Sequence, residues 1–80
     1  MDKDILEIIK NTLVSEFKIN ASLISPEKHL SDDLDLDSLD MVDLLIYLKD
    51  YFSETVNPDL FKNAETLQDV VNLVQPYWKK

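Results

Sequence analysis

The sequence predicts an all-α fold: a four-helix bundle of three main helices and one short third helix, with a long loop between the first two. Three observations predict it. Apolar residues recur at helical spacing in separate stretches. The residue types that begin helices stand just ahead of those stretches. With no Gly and only three Pro in 80 residues, the chain has to mark its helix ends with side-chain caps.

In the first stretch the apolar positions run Ile5, Ile8 with Ile9, Leu13 and Phe17, with Thr12 beside Leu13. This predicts a helix over residues 2–17, and Asp2 and Asp4 suit its N-terminus through the helix dipole. Residues 18–36 form the connection, anchored by Ile19, Leu23, Ile24, Leu30, Leu34 and Leu36. Within it, Ser25-Pro26-Glu27 predicts a single helical turn, Ser as N-cap and Pro in the first position. So long a connection in a small domain points to function. The second helix starts at Asp37-Ser38-Leu39-Asp40 and runs to about Phe52; Asp37 as N-cap with Asp40 three residues on resembles a capping box. Asn57-Pro58-Asp59 begins the short third helix near Leu60 and Phe61. Thr66-Leu67-Gln68-Asp69 caps the fourth, whose apolar stripe is Leu67, Val70, Val71 and Val74, and Pro76 ends it.

Eighty residues is one domain, residues 1–80. A chain this short buries only about 60% of its unfolded surface, which leaves little with which to wall an enzyme pocket. There are 16 acidic and 8 basic residues, a net charge of -8, and every basic residue is Lys. That balance argues against nucleic acid or an anionic membrane and favours docking on basic patches of other proteins. The chain has no Cys, hence no disulfide, thiolate nucleophile or thiolate metal ligand, and a single His, His29, in the loop. No catalytic set can be assembled from these residues, so the chain is not expected to be an enzyme. The start at Met1-Asp2-Lys3-Asp4 lacks the pattern of a signal peptide and no apolar run is long enough to span a bilayer. The expected location is the cytoplasm.

The second helix carries more apolar surface than a core stripe requires. Met41, Leu44, Leu45, Leu48 and Phe52 make the core stripe; Leu39, Val42 and Ile46 make another on the adjoining side, with Asp40, Asp43 and Asp50 around it. A central helix packed on several sides would account for the pattern. So would an exposed apolar strip rimmed by carboxylates, suited to a partner with a basic patch and an apolar groove.

From Asp32 to Asp43 the chain carries six Asp and no Lys. Asp33, Asp35 and Asp37 alternate as in a calcium-binding EF-hand loop. The pattern then breaks at two places: Ser38 stands where the loop needs Gly, and Leu44 where it needs a bidentate Glu. No specific metal site is expected, only loose divalent binding that relieves repulsion. A Ser at a helix N-terminus is ordinarily a cap. Here Asp37 can cap, which places Ser38 in the first turn with its hydroxyl exposed, where the helix dipole and free backbone N–H groups favour a phosphate.

The stretch Asp32-Asp33-Leu34-Asp35-Leu36-Asp37-Ser38-Leu39-Asp40 resembles the attachment motif of the acyl carrier proteins. The likeness extends through the first helix and long loop, Val42-Asp43-Leu44, Asn57-Pro58-Asp59 and Thr66-Leu67-Gln68-Asp69. The resemblance implies that Ser38 takes a covalent 4′-phosphopantetheine arm from coenzyme A and that Asp37 supports the transfer by helping hold magnesium. It implies that Leu39, Asp40, Val42, Asp43 and Ile46 form the surface read by a phosphopantetheinyl transferase and by acyl-transferring and acyl-modifying enzymes with basic patches. The acyl cargo would be held as a thioester and sheltered between helices by residues such as Leu44, Leu48, Phe52, Ala64 and Leu67, in a monomer that enters no membrane. Fatty acid or other lipid biosynthesis is the pathway it implies.

Two departures bear on that pathway. Asp35 stands where most members have Gly, which is unfavourable if the loop needs a positive φ. Lys49 and Tyr51 stand where fatty-acid carriers are usually acidic. A specialised carrier for a polyketide or aminoacyl pathway is therefore an alternative. The rivals outside the family are an acidic divalent-metal-binding module and an adaptor that uses the apolar strip without any arm. His29, Met41, Tyr47, Tyr51 and Trp78 are expected to have ordinary structural roles.

Overall fold

The computed structural model describes residues 2–79, with the side chains of Asp2 and Lys3 left out, so the dipole role expected of Asp2 lies outside the described residues. The described residues form three α-helices: α1 (Asp2–Glu16), α2 (Ser38–Leu48) and α3 (Leu67–Val74). Among the described residues there is no strand, and extended backbone pairs only at two isolated bridges, His29 with Thr66 and Phe52 with Trp78.

α1 ends where the Leu13 carbonyl accepts the N–H groups of both Phe17 and Ile19, at 3.2 Å each. The reversal needs a left-handed residue, which is Lys18 at φ 59°. α2 is followed by a 3₁₀ turn, Lys49–Tyr51, and then by extended backbone at Phe52. The expected short third helix is a four-residue 3₁₀ turn, Pro58–Phe61, capped by the Asn57 side chain, which accepts the Asp59 N–H at 2.9 Å. α3 is the helix expected fourth; it passes into a 3₁₀ turn at Gln75, one residue before Pro76.

The connection differs from expectation in one respect. Ser25-Pro26-Glu27 is not a helical turn but a hydrogen-bonded reverse turn, the Ser25 carbonyl accepting the Lys28 N–H at 3.1 Å. The reason is competition for its carbonyls. Pro26 accepts the Gln68 N–H at 2.9 Å and Lys28 accepts that of Leu67 at 3.0 Å, which holds the segment against the start of α3. The helical turn in this connection lies earlier, at Ala21–Leu23, capped by Asn20.

The core is one cluster. α1 contributes Ile5, Ile9 and Leu13, α2 contributes Met41, Leu44, Leu45 and Leu48, and α3 contributes Leu67, Val70, Val71 and Val74. α1 packs against both other helices, and the Pro58–Phe61 turn packs against α2 and α3. Ile24, Leu30, Leu34 and Leu36 are buried as anchors of the connection, and Ile19 is half-buried. Leu23, also expected as an anchor, is exposed on the outer side of its 3₁₀ turn. These anchors take apolar surface out of water at roughly 25 cal/mol per Å², which ties the connection to the helices and fixes where it delivers Asp37.

Candidate functional site

The site is built where the connection turns into α2. Residues 29–36 form a folded loop: the His29 carbonyl accepts the N–H groups of Asp33 and Leu34 at 3.0 and 3.1 Å, and the Leu30 carbonyl accepts that of Leu36 at 2.8 Å. The Asp33 carboxylate closes it by accepting the His29 N–H at 2.8 Å. This loop does need a positive φ. Asp35 supplies it at 55°, although it carries a Cβ and stands where Gly would be free of strain.

α2 opens on a complete capping box. Asp37 Oδ1 accepts the Asp40 N–H at 2.9 Å, and Asp40 Oδ2 accepts the Asp37 N–H at 3.1 Å. The short Asp side chain at the third helical position thus reaches back far enough. Because Asp37 is the cap, Ser38 is the first helical residue, and it is exposed. Among the described residues neither its hydroxyl nor the N–H groups of Ser38 and Leu39 make a hydrogen bond. An exposed hydroxyl therefore sits beside two free donors at the positive end of a helix dipole.

Ser38 also lies in the wall of an open groove of about 840 Å³. Leu36, Met41, Val42, Phe61 and Ala64 give it an apolar floor, and Asp37, Asp59 and Lys62 are among its polar edges. Of the residues expected to shelter the acyl chain, Leu44, Leu48 and Leu67 are core residues. Those side chains are at most 1% exposed and belong to the close-packed core. Phe52 lines a different recess, and of the five residues named for the shelter only Ala64 lines this groove. Nothing in the sequence marks Phe61 and Lys62 as groove residues, because their place depends on how the Pro58–Phe61 turn docks against α2.

The residues expected to form a partner surface lie largely open along α2. Leu39 and Ile46 are 73% and 55% exposed, Val42 is half-buried between them, Asp43 is exposed and Asp40 half-buried. The second stripe of α2 is therefore an uncovered apolar strip with carboxylates beside it. Two of the alternating carboxylates serve the backbone: Asp33 binds its own loop, and Asp37 caps α2. At the far end of α2, Tyr47 meets Phe17 edge-on at 5.8 Å, and Trp78 stacks on Tyr51 at 5.3 Å and meets Phe52 edge-on at 5.6 Å.

Among the described residues two carboxyl groups are lowered from their ordinary values. Asp69 is lowered chiefly by the backbone N–H groups of Glu65 and Thr66, and Glu27 by its own backbone N–H and the Ser25 hydroxyl. Glu27 belongs to the reverse turn held against the start of α3, and Asp69 to the capping box that opens α3.

A family model described as the phosphopantetheine attachment site matches residues 7–74. The chain is similar to acyl carrier protein 2 of Ralstonia nicotianae, 39% identical over 74 residues that cover 92% of this chain and 91% of that protein. It is 35% identical to the acyl carrier protein of Thermobifida fusca, covering 92% of this chain and 94% of that protein. With the acyl carrier protein of Picosynechococcus it shares 32% identity, over 92% and 91% of the two chains. A serine presented beside free helix amides and a match that runs from α1 to the end of α3 lead to one conclusion: the chain belongs to the phosphopantetheine attachment site family, that of the acyl carrier proteins.

Proposed function

We propose that Ser38 is the residue that bears 4′-phosphopantetheine, and that the chain carries acyl groups on that arm and presents them to partner enzymes. The observation that carries this is the division of labour at the start of α2. Asp37 and Asp40 satisfy the cap between themselves, which leaves the Ser38 hydroxyl and the first two amides uncommitted. The residues present fit the group. A phosphodiester on Ser38 would accept from the Ser38 and Leu39 N–H groups, in the geometry that favours anions at helix N-termini. The groove beside it offers polar edges for amides and an apolar floor for methylenes.

When bound, the arm supplies the thiol, and hence the thioester linkage to an acyl group, that a chain without Cys lacks. The chain's own residues hold and present. The Asp37 carboxylate, with Oδ1 engaged in the cap, turns Oδ2 to no protein partner among the described residues, and this supports its role in holding magnesium during transfer. Leu39, Val42 and Ile46, with Asp40 and Asp43, offer an apolar strip between carboxylates to enzymes with basic rims; such charge matching acts mainly on encounter rate and specificity. As a carrier it is not itself a catalyst. Tethering raises the effective concentration of the carried group at each partner.

Lys49 and Tyr51 are both exposed at the end of α2. They make that end of the surface less acidic, which favours partners other than those of housekeeping fatty acid synthesis, in a polyketide, aminoacyl or dedicated lipid pathway.

The test is intact mass after incubation with coenzyme A, magnesium and a broad-specificity phosphopantetheinyl transferase. We expect a gain of one phosphopantetheine in the wild type and none in Ser38→Ala, with both proteins folded. A mass gain in the alanine variant would refute the assignment of Ser38. No gain in the wild type, with its native transferase as well, would favour an adaptor that works through the α2 strip.

A further inference from the structure

α2 carries its two signs of charge on opposite sides of its apolar strip. Successive residues are turned by about 100° around the helix. Seen down the axis from Leu39, Ile46, Val42 and Lys49 lie to one side, by about 20°, 60° and 80°, and Asp43 and Asp40 to the other, by about 40° and 100°. Lys49 keeps this placement because its φ and ψ, -55° and -34°, are still helical. The carboxylate side is the one toward α1: Tyr47 lies on that side too and meets Phe17, just beyond the end of α1. The other side borders a recess of about 450 Å³, which Val42, Leu45, Ile46 and Lys49 wall from α2 and whose lining also includes Glu54 and Thr55.

Lys49 is exposed, and its charge is not neutralised within the chain. Among the described residues its ammonium has no carboxylate within ion-pair distance, Glu54 included. The positions three and four residues away, where a helical neighbour would pair with it, hold Leu45, Ile46, Phe52 and Ser53. The backbone that carries it is also held. The Lys49 carbonyl accepts the Phe52 N–H at 3.2 Å, the Tyr51 carbonyl accepts the Lys79 N–H at 2.8 Å, and Trp78 stacks on Tyr51 at 5.3 Å. A fixed cation therefore stands beside Ile46, about 15 Å along the axis from Leu39, in a chain whose net charge is -8.

Resting on the reading of this strip as the partner surface, we propose that Lys49 selects the partner. The enzyme that docks along α2 sets cations against Asp40 and Asp43 and a carboxylate against Lys49, with apolar side chains between them. Such a face pairs in one orientation, because turning it end for end would bring like charges together. A docking face that is cationic throughout puts like charge on Lys49 and is disfavoured, which gives the chain a means of refusing enzymes built for a wholly acidic helix.

The experiment uses the arm-bearing, acylated chain, its loading verified by intact mass, and two enzymes. One is the acyl-accepting enzyme of its own pathway. The other is a fatty-acid condensing enzyme chosen for a docking rim that carries cations only. kcat/KM is measured with each for the wild type, Lys49→Glu, Lys49→Arg and Ile46→Ser. We expect Lys49→Glu to lower kcat/KM about tenfold with the first enzyme and to raise it with the second, through the encounter rate that rim charges govern. Lys49→Arg should keep the wild-type values. Both effects of Lys49→Glu should shrink in molar salt, where the screening length is about 3 Å. Position 49 is exposed, so the unfolding of its variants should match the wild type. An unchanged or raised kcat/KM for Lys49→Glu with the first enzyme would overturn the proposal, as would a fall of equal size with both enzymes. Ile46→Ser tells the two failures apart. If it alone lowers kcat/KM with the first enzyme, the strip stands as the partner surface and only the role of Lys49 falls; if neither variant changes it, both fall.

Discussion

α2 and α3 begin alike and are put to different use. Each opens on a capping box with Asp at the third position, Asp37 with Asp40 in one and Thr66 with Asp69 in the other. The residue after the cap is Ser38 in α2, exposed, and Leu67 in α3, wholly buried. The first two amides of α3 are consumed by the connection, Leu67 donating to Lys28 and Gln68 to Pro26, whereas those of Ser38 and Leu39 are free among the described residues. On the proposed assignment of Ser38, a capped helix start is only half of an attachment site. The other half is that nothing among the described residues uses up its donors or covers its first residue.

The comparison breaks most visibly at those two residues. Leu67→Ser puts a hydroxyl in a packed core and should destabilise the protein by at least about 2 kcal/mol, the low end for loss of a buried Leu side chain. Denaturant unfolding measures this, and in Ser38→Ala the new residue 67 hydroxyl should give no second acceptor by mass. Ser38→Ala alone should abolish loading and stay within about 0.5 kcal/mol of wild-type stability, as surface changes do.

Next in size is the strip beside Ser38, which α3 does not have. Leu39→Ser removes a 73% exposed apolar side chain. Its kcat/KM as a transferase substrate should fall about tenfold, equivalent to about 1.4 kcal/mol, with unfolding unchanged. An unaltered kcat/KM would show that the strip is not read by that enzyme.

The two caps then separate structure from transfer. Asp37→Ala and Thr66→Ala should each cost about 1 kcal/mol of stability. Only Asp37→Ala should also slow arm transfer at limiting magnesium; equal transfer rates in the two variants would remove Asp37 from the metal's surroundings.

Asp35 gives a smaller and opposite effect. Asp35→Gly relieves a left-handed residue at φ 55° and should stabilise by about 1 kcal/mol. Asp35→Asn removes the charge but keeps the Cβ, so the backbone contribution is the difference between the two in unfolding experiments.

The smallest effect is that of acid. The Asp69 carboxyl is lowered in the folded chain by the Glu65 and Thr66 N–H groups. Its contribution is therefore complete above the ordinary Asp pKa of about 3.9 and is lost as pH falls through the lower folded value. Asp69→Asn should lessen the loss of stability below about pH 4 while leaving the neutral-pH loading rate unchanged.

By itself the sequence determined the helical class, the caps and the candidate serine. These are local matters: Asp37 with Asp40, Asn57 with Pro58 and Thr66 with Asp69 act within one turn of chain, and a stripe such as Leu39, Val42 and Ile46 is visible at helical spacing. Even the positive φ required at residue 35 was signalled by the family's Gly there. Only the tertiary structure decided which stripe of α2 stays uncovered, that Ser25–Glu27 gives up its helical turn to bind the start of α3, and that Leu44, Leu48 and Leu67 close the core. It also decided that Phe61, Lys62 and Val56 wall the open recesses beside α2. Those outcomes depend on which carbonyls and apolar faces meet across tens of residues, and on competition among partners that local propensity does not encode.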